Sequence, residues 1–210
     1  YLGFEVSNSK VKYLFDSLYN PNTKKGLMVK FKGLNRDTAI AIEKNLFEAR
    51  EASDRFFHEI GDIFGAESGS KRIRTKNIVF NYLEEPLKRL NSSLEELLDY
   101  TEDEEDAALI KSYSKNYSQL IMSLGIILNQ EKGDYAYWVE VSLRKRGIKY
   151  SLFASPIEIA EELEKQLFSK ITPIILTSAT LSLNGSFTFT KERLGIKGAR
   201  ELLIGSPFNY

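Results

Sequence analysis

Asp37–Gly65, DTAIAIEKNLFEAREASDRFFHEIGDIFG, is the stretch that decides the fold. Its apolar and small residues fall at Ile42, Leu46, Ala49, Ser53, Phe56, Ile60 and Ile63, at spacings of four and three. That is the period of one buried helix face. Asn35 and Asp37 are both suited to open the helix, and Gly65 to stop it.

The same signature recurs downstream. Leu83, Leu87, Leu90, Leu94 and Leu97 form a second stripe, interrupted by Pro86. Either this helix starts near Glu84 with proline in its first turn, or it starts near Val79 and kinks. A third stripe runs through Ile110, Tyr113, Tyr117, Leu120, Leu124 and Ile127, after the acidic run TEDEED at Thr101–Asp106. Acidic residues in a first turn face the positive end of the helix dipole, which accounts for this run without a function. Three stripes of like spacing predict an elongated antiparallel bundle. Each removes about seven large side chains from water, at roughly 1.5–3 kcal/mol apiece before entropy is charged.

Upstream, Ser7 or Asn8 caps a short helix reaching about Tyr19, ended by Pro21 and polar residues to Gly26. Leu27–Lys32 fits a short strand or a helical turn equally. Glu67–Lys76 reads as a polar loop with a short strand at Arg72–Thr75.

Beyond Asp134 the period changes. Tyr135–Ser142 and Lys149–Ala154 alternate like the strands of a hairpin across the basic turn Leu143–Gly147. Ile157–Phe168 follows as a helix. Ile171–Leu176 is an unbroken apolar run, expected as a strand buried on both faces of a parallel sheet. Phe187–Leu194 predicts a helix closed by Gly195, and Leu202–Ile204 a last strand before GSPFNY. The expected fold class is mainly α with an α/β portion: the bundle plus partial parallel-sheet segments.

Composition bounds the chemistry. Of 210 residues, 42% are hydrophobic and 28% charged, ordinary for a globular chain. No apolar run reaches the roughly 18 residues a membrane helix needs, and no leader pattern opens the chain. It starts at Tyr1 rather than Met, which gives the expectation of a piece cut from something longer. There are no cysteines, so no disulfide framework and no cysteine-held metal or cluster is expected within it. The one histidine, His58, has no convergent partners in the sequence, so no metal site is expected. Lysine plus arginine number 29 against 29 aspartate plus glutamate, so nucleic-acid contacts would have to come from local patches. Three patches qualify: Lys24, Lys25, Lys30 and Lys32; Lys71, Arg72, Arg74 and Lys76; Arg144, Lys145, Arg146 and Lys149. Phe31, Tyr137, Trp138 and Tyr150 stand near the first and third and are of the type that stacks on bases.

The hydroxyl run Thr177-Ser178-Ala179-Thr180-Leu181 follows the expected buried strand. In an open parallel sheet the C-terminal strand ends face the ligand crevice, where hydroxyls both donate and accept. Such a run also satisfies free backbone groups in an ordinary turn. The string TSATL after an apolar strand resembles motif III of superfamily 2 helicases. Together with Ser186–Ile196 (SFTFTKERLGI), Ser206–Tyr210 (SPFNY) and Tyr1–Gly26, the order of segments resembles the DinG branch of the DinG/XPD-like ATP-dependent DNA helicases.

That resemblance implies a division of the chain. Residues 1–133 would be a helical arch domain that closes over single-stranded DNA. Residues 134–181 would return into the first motor domain with motif III, and 182–210 would start the second. Thr177–Leu181 would couple ATP hydrolysis to strand movement, with a 5′-to-3′ polarity. Lys71, Arg72, Arg74, Lys76, Arg144, Lys145 and Arg146 are the expected DNA contacts. The parent would use ATP and Mg²⁺, act in the cytoplasm and serve DNA repair. This chain holds no G-x-x-x-x-G-K-[ST] phosphate loop and no DEAH box, so no ATP turnover is expected from it alone. Iron–sulfur cysteines of the family lie upstream of the DEAH box, so their absence here decides nothing. Two alternatives stand beside this reading: a DinG-like protein acting mainly as an exonuclease, and a helical protein-interaction module.

Overall fold

A computed structural model of the chain describes residues 3–30, 36–145 and 147–205. Two compact units divide at Ser155/Pro156: Gly3–Ser155, and the segment from Pro156 on.

In the first unit β1 (Phe4–Ser7) leads into α1 (Asn8–Leu18), whose N-cap is Ser7, its hydroxyl accepting from the Lys10 N–H at 3.3 Å. Leu27–Lys30 is a helical turn, α2. The long helix α3 spans Arg36–Phe64, and Gly65 follows at φ +71°. That left-handed conformation is nearly free of strain only in glycine. Helix α4 spans Glu84–Glu96, which places Pro86 in the first turn, where its missing N–H costs little. A 3₁₀ turn at Leu97–Tyr100 precedes α5, Glu104–Asn129, capped by Asp103 and carrying Glu104, Glu105 and Asp106 in its first turn.

The stripes become the core. Ile42, Leu46, Ala49, Phe56 and Ile60 of α3, Leu87, Leu90 and Leu94 of α4, and Ile110, Tyr117, Leu120, Leu124 and Ile127 of α5 are buried together. Ser53 is buried among them. Ile63 breaks the pattern at 52% exposed, while Phe64, four residues after Ile60, packs against the core in its place. Pairings order the helices. Asn45 donates to Ser93 (2.8 Å), Arg89 pairs with Glu48 (2.8 Å) and Arg55 donates to Tyr82 (2.8 Å), so numbers rise along α3 as they fall toward and along α4. Asn91–Ser118 and Ser114–Glu95 give the same inverse order between α4 and α5.

Helix α1 is fastened at its C-terminal half. Arg50 of α3 pairs with Asp16 at 2.9 Å and donates to the Tyr19 carbonyl at 2.8 Å. Burial works against ionisation of Asp16, but hydrogen bonds and charge from Lys12 and Arg50 outweigh it and hold its carboxyl below the usual range. From α5, the Tyr113 and Tyr117 hydroxyls donate to the carbonyls of Ser17 and Leu14, each at 3.2 Å. Burial drives the Tyr117 phenol far above its ordinary value. A phenol whose folded pKa is raised contributes stability below the unfolded value of about 10 and loses it as pH rises beyond. The thermal midpoint is therefore expected to fall as pH rises above about 10, and Tyr117→Phe is expected to flatten that fall in a melting series.

Among the described residues four strands close the unit in the order β1-β4-β3-β2, with β2 at Gly69–Arg72, β3 at Tyr135–Arg144 and β4 at Gly147–Pro156. β1 pairs antiparallel with β4 and β2 antiparallel with β3. The expected strand at Arg72–Thr75 thus sits earlier. Tyr137, Val139, Val141, Leu152 and Ala154 turn inward to the helices. Tyr150 also faces them, its hydroxyl so close to Gly61 that a β-carbon there would stand 2.9 Å away.

The second unit holds α6 (Ala160–Leu163), continued by a π-helical turn at Glu164–Phe168, and α7 (Thr188–Leu194). The helix expected over Ile157–Phe168 starts later. Gly195 closes α7 at φ +72° and lies against α6, where a β-carbon would meet the Ala160 carbonyl at 2.5 Å. The expected strands at Ile171–Leu176 and Leu202–Ile204 do not form; Ile175 is 83% and Leu202 78% exposed. A strand needs a neighbouring backbone to satisfy its N–H and C=O groups. Among the described residues of this unit no strand pairs with either segment. The sheet of this chain is antiparallel, and mainly α with an α/β part describes the whole.

Candidate functional site

Thr177–Thr180 is exposed in the second unit and leads without regular secondary structure into a turn at Ala179-Thr180. Its hydroxyls serve one another. The Ser178 Oγ accepts from the Thr180 N–H at 3.1 Å and lies 3.0 Å from Thr180 Oγ1. The Leu181 carbonyl accepts from Thr190 Oγ1 of α7 at 2.7 Å. Between them Asn184-Gly185 forms a two-residue hairpin loop, both at positive φ, closed by reciprocal bonds between Leu183 and Ser186. The Asn-Gly pair carries that signal in the sequence. A continuous tie therefore runs from the hydroxyl turn through Thr190 to α7, and from α7 through Gly195 to α6.

The basic residues lie in the first unit. Lys71 is occupied at home: its Nζ donates to the Phe64 carbonyl at the C-terminus of α3, where a cation meets the negative end of the helix dipole. Arg72, Arg74 and Lys76 are exposed, as are Arg144 and Lys145; Arg146 lies outside the described residues. The β2–β3 pairing carries these two patches on one ribbon. Arg72 stands opposite Trp138, and the Leu143 N–H at the far end bonds Ser68 at 3.3 Å. Six residues of strand separate Trp138 from Arg144, on the order of 20 Å. Lys149 pairs with Glu5 at 3.6 Å. In the remaining patch, Lys24 and Lys25 lie in the loop before α2 and Lys30 pairs with Asp106 at 3.8 Å; Lys32 and Phe31 fall outside the described residues.

The aromatics divide by strand alternation. Tyr137 points inward and bonds the Lys132 backbone, while Trp138 points to the outer face. There it stacks on Phe153 of β4, centroids 5.0 Å apart and planes 11° from parallel. Phe153 had a readable signal in the alternation of KYSLFA but no basic neighbour in sequence. Among the described residues no cluster of three or more metal-type ligands occurs, and no helix is long and apolar enough to cross a membrane. His58 is exposed beside Asp62 on α3.

A 79-residue stretch is 39% identical to the 3′-5′ exonuclease DinG of Bacillus subtilis (strain 168), covering 37% of this chain and 8% of that protein. The probable ATP-dependent helicase YpvA of the same organism is 29% identical over 175 residues, covering 78% of this chain and 25% of YpvA. The chain is DinG-like. A third relative, the ATP-dependent DNA helicase YoaA of Haemophilus influenzae, is 38% identical over 76 residues, covering 36% of this chain and 11% of YoaA. The DinG-like chain thus matches a quarter or less of these relatives' own length. A match over 78% of the chain is longer than either compact unit, so the likeness to YpvA enters both. No protein-family model matches the chain.

Proposed function

We propose that this chain is the DNA-guiding and motor-coupling segment of an ATP-dependent DNA helicase acting on single-stranded DNA in the cytoplasm. Residues 1–133 are the helical arch, an elongated antiparallel bundle; 134–181 return into the first motor domain, and 182–210 open the second. The observation that carries the reading is the likeness to helicases in both compact units, joined to a TSATL turn whose last carbonyl is tied to the next helix. ATP and Mg²⁺ serve the parent at sites outside this chain. Thr177–Leu181 transmit the nucleotide state, and translocation runs 5′ to 3′. DNA passes the exposed cations Arg72, Arg74, Lys76, Arg144 and Lys145. DNA repair is the role this machinery suits.

A second reading has its own observation: one relative is named as a 3′-5′ exonuclease. In that case the same segment feeds a strand to a nuclease site elsewhere in the parent.

The direct test is a labelled oligothymidylate titrated into the chain at rising salt. The logarithm of affinity is expected to fall linearly with that of salt, by about 0.7 for each phosphate neutralised. Arg74→Gln is expected to lower that slope by about one such step. Saturable binding unaffected by salt contradicts guidance through phosphates.

A further inference from the structure

We propose that the outer face of the sheet holds a base-stacking slot for single-stranded nucleic acid, formed between the indole of Trp138 and the guanidinium of Arg72. It deepens the reading of the segment as a DNA guide and rests on it.

Register supplies the geometry. The Ile73 N–H bonds the Tyr137 carbonyl at 2.9 Å, so Ile73 and Tyr137 form a hydrogen-bonded pair. Arg72 and Trp138, one step along, are then a non-hydrogen-bonded pair, the narrow kind whose side chains stand closest on a shared face. Across the other side of β3, Phe153 covers one face of the indole in a near-parallel stack. The second face is thereby directed away from β4, toward β2 and Arg72. Trp138 Nε1–H donates to Glu140 at 3.1 Å, which holds the ring in this orientation. Arg72 is exposed, and among the described residues no ion pair or hydrogen bond engages its guanidinium.

The chemistry of that slot suits a base. An indole face stacks on any nucleobase at about 1–3 kcal/mol, whatever its sequence. A guanidinium plane covers the other face and still offers donors to a phosphate. Charge orients the backbone. The row across the sheet runs Glu5, Phe153, Trp138, Arg72; Glu5 is neutralised by Lys149 at 3.6 Å, so the net charge of the row is positive and lies at the Arg72 edge. Glu140 adds a second carboxylate on the β3 side. Phosphates are drawn to the β2 edge, where Arg74 and Lys76 continue the cationic line. A peptide occupant would find its own main chain unsatisfied on this face, because the sheet face offers side chains and not backbone groups.

Trp138 is the only tryptophan in the chain, so its emission reports this slot alone. The 210-residue chain is titrated with end-labelled oligothymidylate, following label anisotropy and tryptophan emission together. Binding should quench Trp138 emission by half or more in step with anisotropy. An abasic oligonucleotide of equal length should raise anisotropy with little quenching. Arg72→Leu should weaken oligothymidylate binding about tenfold, while its effect on the abasic strand stays within about threefold. Binding without quenching overturns the slot and leaves the guide reading intact. No binding at low salt overturns both. Equal quenching by the abasic strand overturns the slot, since stacking then plays no part.

Discussion

Leu90→Ala is expected to lower the unfolding free energy of the chain by about 2–5 kcal/mol. Leu90 is fully buried on α4, the helix whose polar pairings reach both α3 and α5. Removing the side chain loses its transfer energy and leaves a cavity that two neighbouring helices would have to close together. Buried Leu87 and Leu94 on the same stripe hold α4 in place, so collapse is only partial. Denaturant titration read by Trp138, in the same compact unit, measures the change at constant slope. Ser92→Ala, exposed on the same helix, is expected to stay within about 0.5 kcal/mol. A Leu90→Ala loss under 1 kcal/mol would mean that α4 does not lie at the centre of the core.

In the complete helicase, Thr180→Ala is expected to reduce unwinding about tenfold or more while DNA-stimulated ATP turnover falls less than threefold. A coupling free energy of 1–3 kcal/mol is the usual scale for such linkage between sites. The local structure makes Thr180 the cleaner probe of the two hydroxyls. Among the described residues its Oγ1 bonds only Ser178 Oγ on an exposed turn, and its N–H keeps that oxygen as acceptor after substitution. The turn therefore survives, and folding should change little. Ser178→Ala removes the acceptor itself and mixes a loss of turn geometry into the readout. Parallel assays of unwinding and ATP hydrolysis decide the matter. Equal loss of both activities removes the coupling role.

The helices were legible because each buries one face. The spacing of Ile42–Ile60 and Leu83–Leu97 repeats the helical turn, and tertiary packing agrees with it residue by residue. Failures came where a partner had to be supplied. Ile171–Leu176 has the composition of a buried strand, but a strand is a property of two backbones, and the described second unit offers no neighbour. The basic patches were visible as composition. Their different fates were not, since Lys71 and Arg72 are adjacent in sequence and strand alternation sends one to a helix end and the other to the open face.

By itself the sequence determined the helical periods, the Gly65 and Gly195 stops, the change of period near Asp134 and the TSATL string that points to the helicases. These are local or pattern properties, carried by neighbours along the chain. Only the tertiary structure decided that Phe153 lies on Trp138 and Arg72 across from it, residues 15 and 66 positions away from the indole in sequence. Register does this: one-residue slippage would send every side chain to the opposite face, and what pins it is the burial of Val139, Val141 and Leu152 against the helices.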